Sequence, residues 1–216
     1  TMDSKFDDIA PLYDHEVEQS IKEMLVDPGF QHAVKYIIPD VNWDEFSAEM
    51  LKYKTKEQFQ AEMIYPVVSA LGARVSTSIK GDKWENIDTS VEHLFLSNHR
   101  DIVLDAGLLN ILRHKEGLNT TEIAIGDNLL INPWIDKLVR MNKSFIVRRG
   151  LSIKERLTAS KHLSEYIHYA IATKKESVWV AQREGRAKNS DDKTQDSLLK
   201  MLALYPEDKQ FLESLK

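Results

Sequence analysis

Cysteine is absent from the 216-residue chain, which excludes disulfides, thiolate metal sites and a cysteine nucleophile. The absence agrees with a reducing compartment, although a cysteine-free chain can sit in any compartment. Long apolar runs are missing too: no stretch approaches the roughly 20 residues that span a bilayer. Thr1-Met2-Asp3-Ser4 has neither the basic nor the apolar region of a secretion signal, and Thr1 ahead of Met2 has the look of a vector remnant. There is no excess of positive charge, since 29 Lys and Arg stand against 34 Asp and Glu, for a net charge of −5. That balance argues against nucleic acid as a partner, because binders of the phosphate backbone present a basic face. It leaves room for a local arginine cluster around one small anion. The expected location is the cytoplasm.

What remains is an ordinary globular composition, 42% hydrophobic and 29% charged, without repeats or low-complexity segments. Two textures divide the chain. Residues 1–75 read as a helical N-terminal subdomain. Pro11 opens a helix through Leu25, and Asp27-Pro28-Gly29 signals a turn. Phe30–Ile38 is a short apolar run stopped by Pro39. Asn42 or Asp44 caps a helix through about Lys52. Thr55 caps another to Leu71, with Gly72 as its stop and Pro66 kinking or splitting it.

Residues 76–216 read as an α/β core. Four short apolar runs, Leu94–Leu96, Glu122–Ile125, Ser144–Val147 and Val178–Ala181, have the length and flanks of buried strands. Helical stretches lie between them at Val103–Arg113, Pro133–Met141 and Ser152–Ala172. The last opens on a capping box, Ser152 with Glu155, and carries a stripe of Ile153, Leu157, Ser160, Ser164, Ile167 and Ile171. A helix from about Thr194 to Leu204 and a short Phe211–Leu215 segment close the chain. The expected fold class is therefore α/β, a mixed sheet flanked by helices, with a helical N-terminal subdomain.

Ligands of open α/β sheets gather at the carboxyl ends of the strands. Ser97-Asn98-His99-Arg100-Asp101 follow the first run, with Asp105 a little beyond. Gly126-Asp127-Asn128 follow the second, Arg148-Arg149-Gly150 the third and Gln182-Arg183-Glu184-Gly185-Arg186 the fourth. A histidine oriented by a carboxylate takes a proton near neutral pH. Arginine forks pair with phosphate in a bidentate way. The same residues also have plain structural readings. A histidine after a strand is commonly just hydrogen-bonded, Arg148-Arg149 and Glu184-Gly185-Arg186 suit a strand end and a turn, and Asp101 and Asp105 suit a helix start.

Read together, the blocks resemble the glycerolphosphate acyltransferase family over roughly residues 90–200. Ser97-Asn98-His99-Arg100-Asp101-Ile102-Val103-Leu104-Asp105 is similar to its opening His-and-Asp block. Lys143–Arg149 is similar to its second block, and Arg183-Glu184-Gly185-Arg186 to its third. The resemblance implies an acyl thioester donor, acyl-CoA or acyl carrier protein, and an acceptor hydroxyl on glycerol 3-phosphate or lysophosphatidate. It implies His99 as general base and Asp105 as its orienting partner. Arg148, Arg149 and Arg186 would grip the acceptor phosphate. Glu184 belongs to the same substrate-binding block, and Gly185 would permit close backbone approach. No cofactor and no metal are expected, and a lipid acceptor implies peripheral membrane contact.

Three departures accompany the resemblance. Five residues rather than four separate His99 from Asp105, so Asp101 stays open as an alternative partner. Ala187 stands where the family has an arginine, leaving that task to Arg186 or Lys188. The fourth block is missing, so the chain is expected to be a truncated form of a longer protein. Rival readings are a non-catalytic lipid or acyl-carrier binding relative and an acyl-thioester hydrolase, although no Gly-x-Ser-x-Gly is present. His99-Arg100-Asp101-Ile102 also copies the start of a kinase catalytic loop, but Ala106 stands where that loop needs asparagine.

Overall fold

A computed structural model describes residues 4–189 and 191–206. The Phe211–Leu215 segment and Thr1-Met2-Asp3 lie outside the described residues. The chain divides into two compact units, Thr1–Val67 with Gly126–Ile146, and Val68–Ile125 with Val147–Lys216.

The first unit is mostly helical. Helix α1 (Asp14–Leu25) begins where the Tyr13 N–H donates to the Glu16 carboxylate at 2.8 Å. In α2 (Pro28–Ile37) the Asp27 side chain accepts from the N–H groups of Gly29 and Phe30, and Pro28 fills the first turn. The Asp-Pro-Gly turn signal is thus also a helix start, because proline costs nothing where its N–H would go unpaired. Asn42, not Asp44, caps α3 (Trp43–Met50). Thr55 caps α4 (Lys56–Phe59), a π turn follows at Gln60–Ile64, and α5 (Tyr65–Val75) continues.

The expected stop at Gly72 is wrong, since α5 runs on to Val75. The disturbance at Pro66 is absorbed upstream of it. The Tyr65 N–H reaches back five residues to the Gln60 carbonyl, and this wider turn makes room for a ring that would clash in a regular α turn. Helix α7 (Pro133–Met141) belongs to the same unit. Its Met141 is buried with Val17, Ile21, Met24, Phe30 and Phe59, and Trp134 packs against them. Arg140 fastens the N-terminal segment by donating to the carbonyls of Ala10 at 2.8 Å and Asp8 at 2.9 Å.

The strands are β1 (Leu94–Ser97), β2 (Glu122–Gly126), β3 (Ser144–Val147) and β4 (Val178–Ala181), in the sheet order β1-β4-β2-β3. β4 runs parallel to β1, with Leu94 opposite Val178 and Ser97 opposite Ala181, and parallel to β2, with Glu122 opposite Val178. Val178, Trp179 and Val180 are all buried, as expected of a parallel strand covered on both faces, where alternation disappears. Ala106 of α6 (Leu104–Lys115), Ile123 and Trp179 form the core here, with Phe95 and Leu109 against them.

Helix α8 (Ile153–Ala172) opens on the expected capping box of Ser152 and Glu155. Its stripe is only half used: Ser164 and Ile167 are buried, whereas Ile153 and Leu157 stand in solvent. The last described helix, α9 (Asp196–Leu202), is shorter than expected. Buried Glu122 opens β2 and accepts from the Tyr166 hydroxyl at 2.5 Å, with the Lys174 ammonium as its ion-pair partner. Because it starts its strand, this pair belongs to the amino edge of the sheet.

Candidate active site

All seven expected site residues fall in the second unit, in the segments that follow β1, β3 and β4. The strand register explains much of this. Ser97 and Ala181 end their strands side by side, so the chain leaves the sheet at one level on both.

After β1 the chain turns sharply before α6. Asp101 makes that turn: one carboxylate oxygen accepts the N–H groups of Val103 and Leu104, each at 2.8 Å. These bonds, Leu104 first and then Val103, hold the Asp101 carboxyl below its ordinary value, and the positive charge of Arg186 acts in the same direction. Asp101 therefore serves as a helix-starting residue.

Asp105, the second residue of α6, meets the imidazole. Its Oδ2 accepts from His99 Nδ1 at 3.0 Å and from the N–H groups of Arg100 at 2.7 Å and Asp101 at 3.1 Å. An ionised carboxylate only accepts, so Nδ1 carries a proton, and whenever the ring is neutral the lone pair is on Nε2. Nε2 hydrogen-bonds none of the described residues. The side chains of His99 and Asp105 are 20% and 21% exposed, so the ring is sheltered but reachable.

Trp179 of β4 stands edge-on to the His99 ring, with centroids 5.9 Å apart at 68°. Its indole N–H donates to Ser97 Oγ at 2.9 Å, which fixes the wall against which the imidazole rests. No role for Trp179 was read from the sequence. Its signal was its place, two residues before the level at which the strands end.

The cationic side of the site comes from the other two strand ends. Arg148 and Arg149 leave β3 exposed, and Gly150 takes a φ of +67° just beyond. Arg149 Nη1 lies 3.3 Å from Glu184 Oε1, joining the second and third blocks. Both partners are well exposed, so the pair contributes little stability and can open to a ligand. Gly185 has a φ of +75°, and a Cβ there would meet nothing within 4 Å, so glycine is needed for the backbone conformation and not for space. Arg186 is exposed and close enough to influence the Asp101 carboxyl. Ala187 donates its N–H to the His99 carbonyl at 2.6 Å, so the loop after β4 leans directly on the histidine loop.

The site brings an imidazole bonded to a carboxylate after β1 into one unit with guanidinium groups after β3 and β4. Among the described residues no group of His, Asp and Glu could hold a metal ion, and no helix is long and apolar enough to cross a membrane. A family model described as Acyltransferase matches residues 78–206, more than half of the chain and all of the site. None of the curated proteins matches it.

Proposed function

The chain belongs to the acyltransferase family, and on that premise we propose that it moves a fatty acyl group from an acyl thioester to a hydroxyl of glycerol 3-phosphate or lysophosphatidate. The observation that carries the proposal is the bond between His99 Nδ1 and Asp105 Oδ2 at 3.0 Å, which in the neutral ring puts the lone pair on Nε2. In this reading Nε2 takes the proton of the acceptor hydroxyl as its oxygen attacks the thioester carbonyl carbon. The carbonyl oxygen becomes an oxyanion. When it collapses, the carbon–sulfur bond breaks, and the leaving thiolate takes the proton back from Nε2. Asp105 holds the ring in one tautomer and balances the imidazolium charge, as in a catalytic triad without a covalent acyl-enzyme.

Arg148, Arg149 and Arg186 grip the acceptor phosphate, for which planar guanidinium forks are suited. Glu184 keeps Arg149 oriented before the acceptor arrives, and Gly185 lets the backbone turn beneath it. The donor is acyl-CoA or acyl carrier protein. The acceptor is a lipid or becomes one, so peripheral contact with a membrane is part of the reading.

The test is thioester turnover with and without acceptor, using palmitoyl-CoA and palmitoyl-carrier protein in parallel. Thiol release that depends on glycerol 3-phosphate or lysophosphatidate, and is lost in His99→Ala, is the expected result. Equal release without any acceptor would make the protein a hydrolase. Donor binding without turnover, untouched by His99→Ala, would make it a binding relative.

A further inference from the structure

We propose that Gln182 is a positioning residue that ties the loop bearing Glu184 and Arg186 to the loop bearing His99. The inference rests on the acyl-transfer reading for its functional consequence. Its geometric basis is separate.

The parallel register makes Asn98 and Gln182 the first residues beyond the paired ends Ser97 and Ala181. The Gln182 N–H still extends the ladder, donating to the Ser97 carbonyl at 2.9 Å. Past this point the strands part and the side chain takes over. Its Nε2 donates to Asn98 Oδ1 at 2.6 Å and to the Asp192 carbonyl at 3.1 Å. Its Oε1 accepts from the Thr194 hydroxyl at 3.1 Å, and its backbone carbonyl accepts the Gln195 N–H at 2.8 Å. A backbone carbonyl can only accept, so the Asp192 contact fixes which end of the amide faces inward. That orientation in turn commits Asn98 to presenting its oxygen.

One half-buried glutamine thus closes both ends of the 182–195 loop and joins it to the residue immediately before His99. A second clamp reinforces the closure, since the Glu184 N–H donates to Gln195 Oε1 at 3.1 Å. At mid-loop, the Ala187 N–H meets the His99 carbonyl at 2.6 Å. The loop delivers Arg186 and the Glu184 partner of Arg149, while Asn98 and Ala187 set the backbone on either side of the base. Gln182 touches neither substrate nor the reacting atoms. Its action is to hold the acceptor-binding cations in a fixed relation to Nε2.

Gln182→Met keeps the length of the side chain and removes its hydrogen bonds, and Asn98→Ala removes only one of them. Gln182→Met should lower kcat/KM for the acceptor about 10- to 100-fold, from the loss of two or three hydrogen bonds. The donor KM should stay within about twofold, a split that general loosening would not give. The double variant should be no worse than Gln182→Met by more than about twofold, because the bond that Asn98→Ala removes is already gone in Gln182→Met. Independently of turnover, hydrogen exchange at the Ala187 amide should be slow in the parent chain and faster in Gln182→Met. An unchanged acceptor constant, equal damage to donor and acceptor, or unchanged Ala187 exchange would each overturn the proposal. If Gln182→Met fails to fold, Asn98→Ala carries the same two readouts. A parent chain inactive with every acceptor would sink the acyl-transfer reading, and exchange alone would then decide the role of Gln182.

Discussion

Replacing Asp105 by asparagine separates orientation from charge. The position now held by Oδ2 faces two backbone N–H groups, from Arg100 at 2.7 Å and Asp101 at 3.1 Å. An amide nitrogen there would meet two donors head-on, so the asparagine must turn its oxygen to that place. That oxygen can still accept from His99 Nδ1, and the tautomer survives. What disappears is the negative charge opposite the imidazolium formed during transfer. A hydrogen bond to a charged group exceeds a neutral one by about 1 kcal/mol. A unit charge pair at about 4 Å and an effective dielectric near 20 interacts by about 4 kcal/mol. These bracket the loss, so kcat should fall between about 5- and 10³-fold. The acceptor KM should hardly move, because Asp105 faces the ring and the backbone. Released carrier thiol can be followed with a thiol-reactive dye, and a chain without cysteine adds no background. A kcat within twofold of the parent in a folded Asp105→Asn variant would refute the reasoning, as would a larger loss from Asp101→Asn.

Three further outcomes are expected. His99→Ala should lower acyl transfer by on the order of 10²–10⁴ while leaving the circular dichroism and urea midpoint near those of the parent. Arg149→Ala should raise the acceptor KM more than the donor KM. Equal effects on the two constants would remove Arg149 from the acceptor site. Asp101→Ala should cost about 1 kcal/mol in urea unfolding at pH 7, the usual loss for a helix-starting side chain. Its folded carboxyl lies below the ordinary value, so the charged form's contribution is present above about pH 4 and fades as pH falls through that lower folded value. The difference from the parent should therefore shrink in acid, and a constant difference would contradict the assignment.

The sequence was most informative where one local force acts alone. All four strands were visible because short apolar runs bounded by polar residues leave little else to be, and the Ser152–Glu155 capping box marked the start of α8. It misled where neighbours decide. Gly72 reads as a helix stop, yet α5 passes through it, because its cost in a helix is small and it is buried where a Cβ would lie 3.1 Å from the Ile79 side chain. Ile153 and Leu157 extend an apolar stripe that the core buries only from about Leu163 onward, and periodicity alone cannot reveal where a core ends. In the site, the residues were legible by type and the pairings were not. Asp101 and Asp105 carry the same chemistry at neighbouring positions, and only the turn geometry gives the backbone N–H groups of α6 to one and the imidazole to the other. Gln182 stands in the right place in the sequence but carries no role there, because a glutamine after a strand has no chemistry until its five partners are known.

That division of labour also accounts for the geometry of the two blocks that depart from the expected spacing. The extra residue between His99 and Asp105 does not push the carboxylate away, because Asp101 folds the surplus into a turn. It ties down Val103 and Leu104, so Asp105 arrives in the first turn of α6 under the N–H groups of Arg100 and Asp101. Five residues separate the two along the chain, and ring and carboxylate still meet at 3.0 Å. The alanine at position 187 acts in the same manner. Its bond to the His99 carbonyl uses only the main-chain N–H, which any residue but proline supplies, so the loop's attachment there does not depend on the side chain. Side-chain cations then have to come from neighbouring positions. Arg186, whose charge already reaches Asp101, is the nearer of the two candidates in its effect on the histidine loop. Where backbone holds a site together, side chains beside it are free to trade places, and motif spacing becomes a weaker guide than strand register.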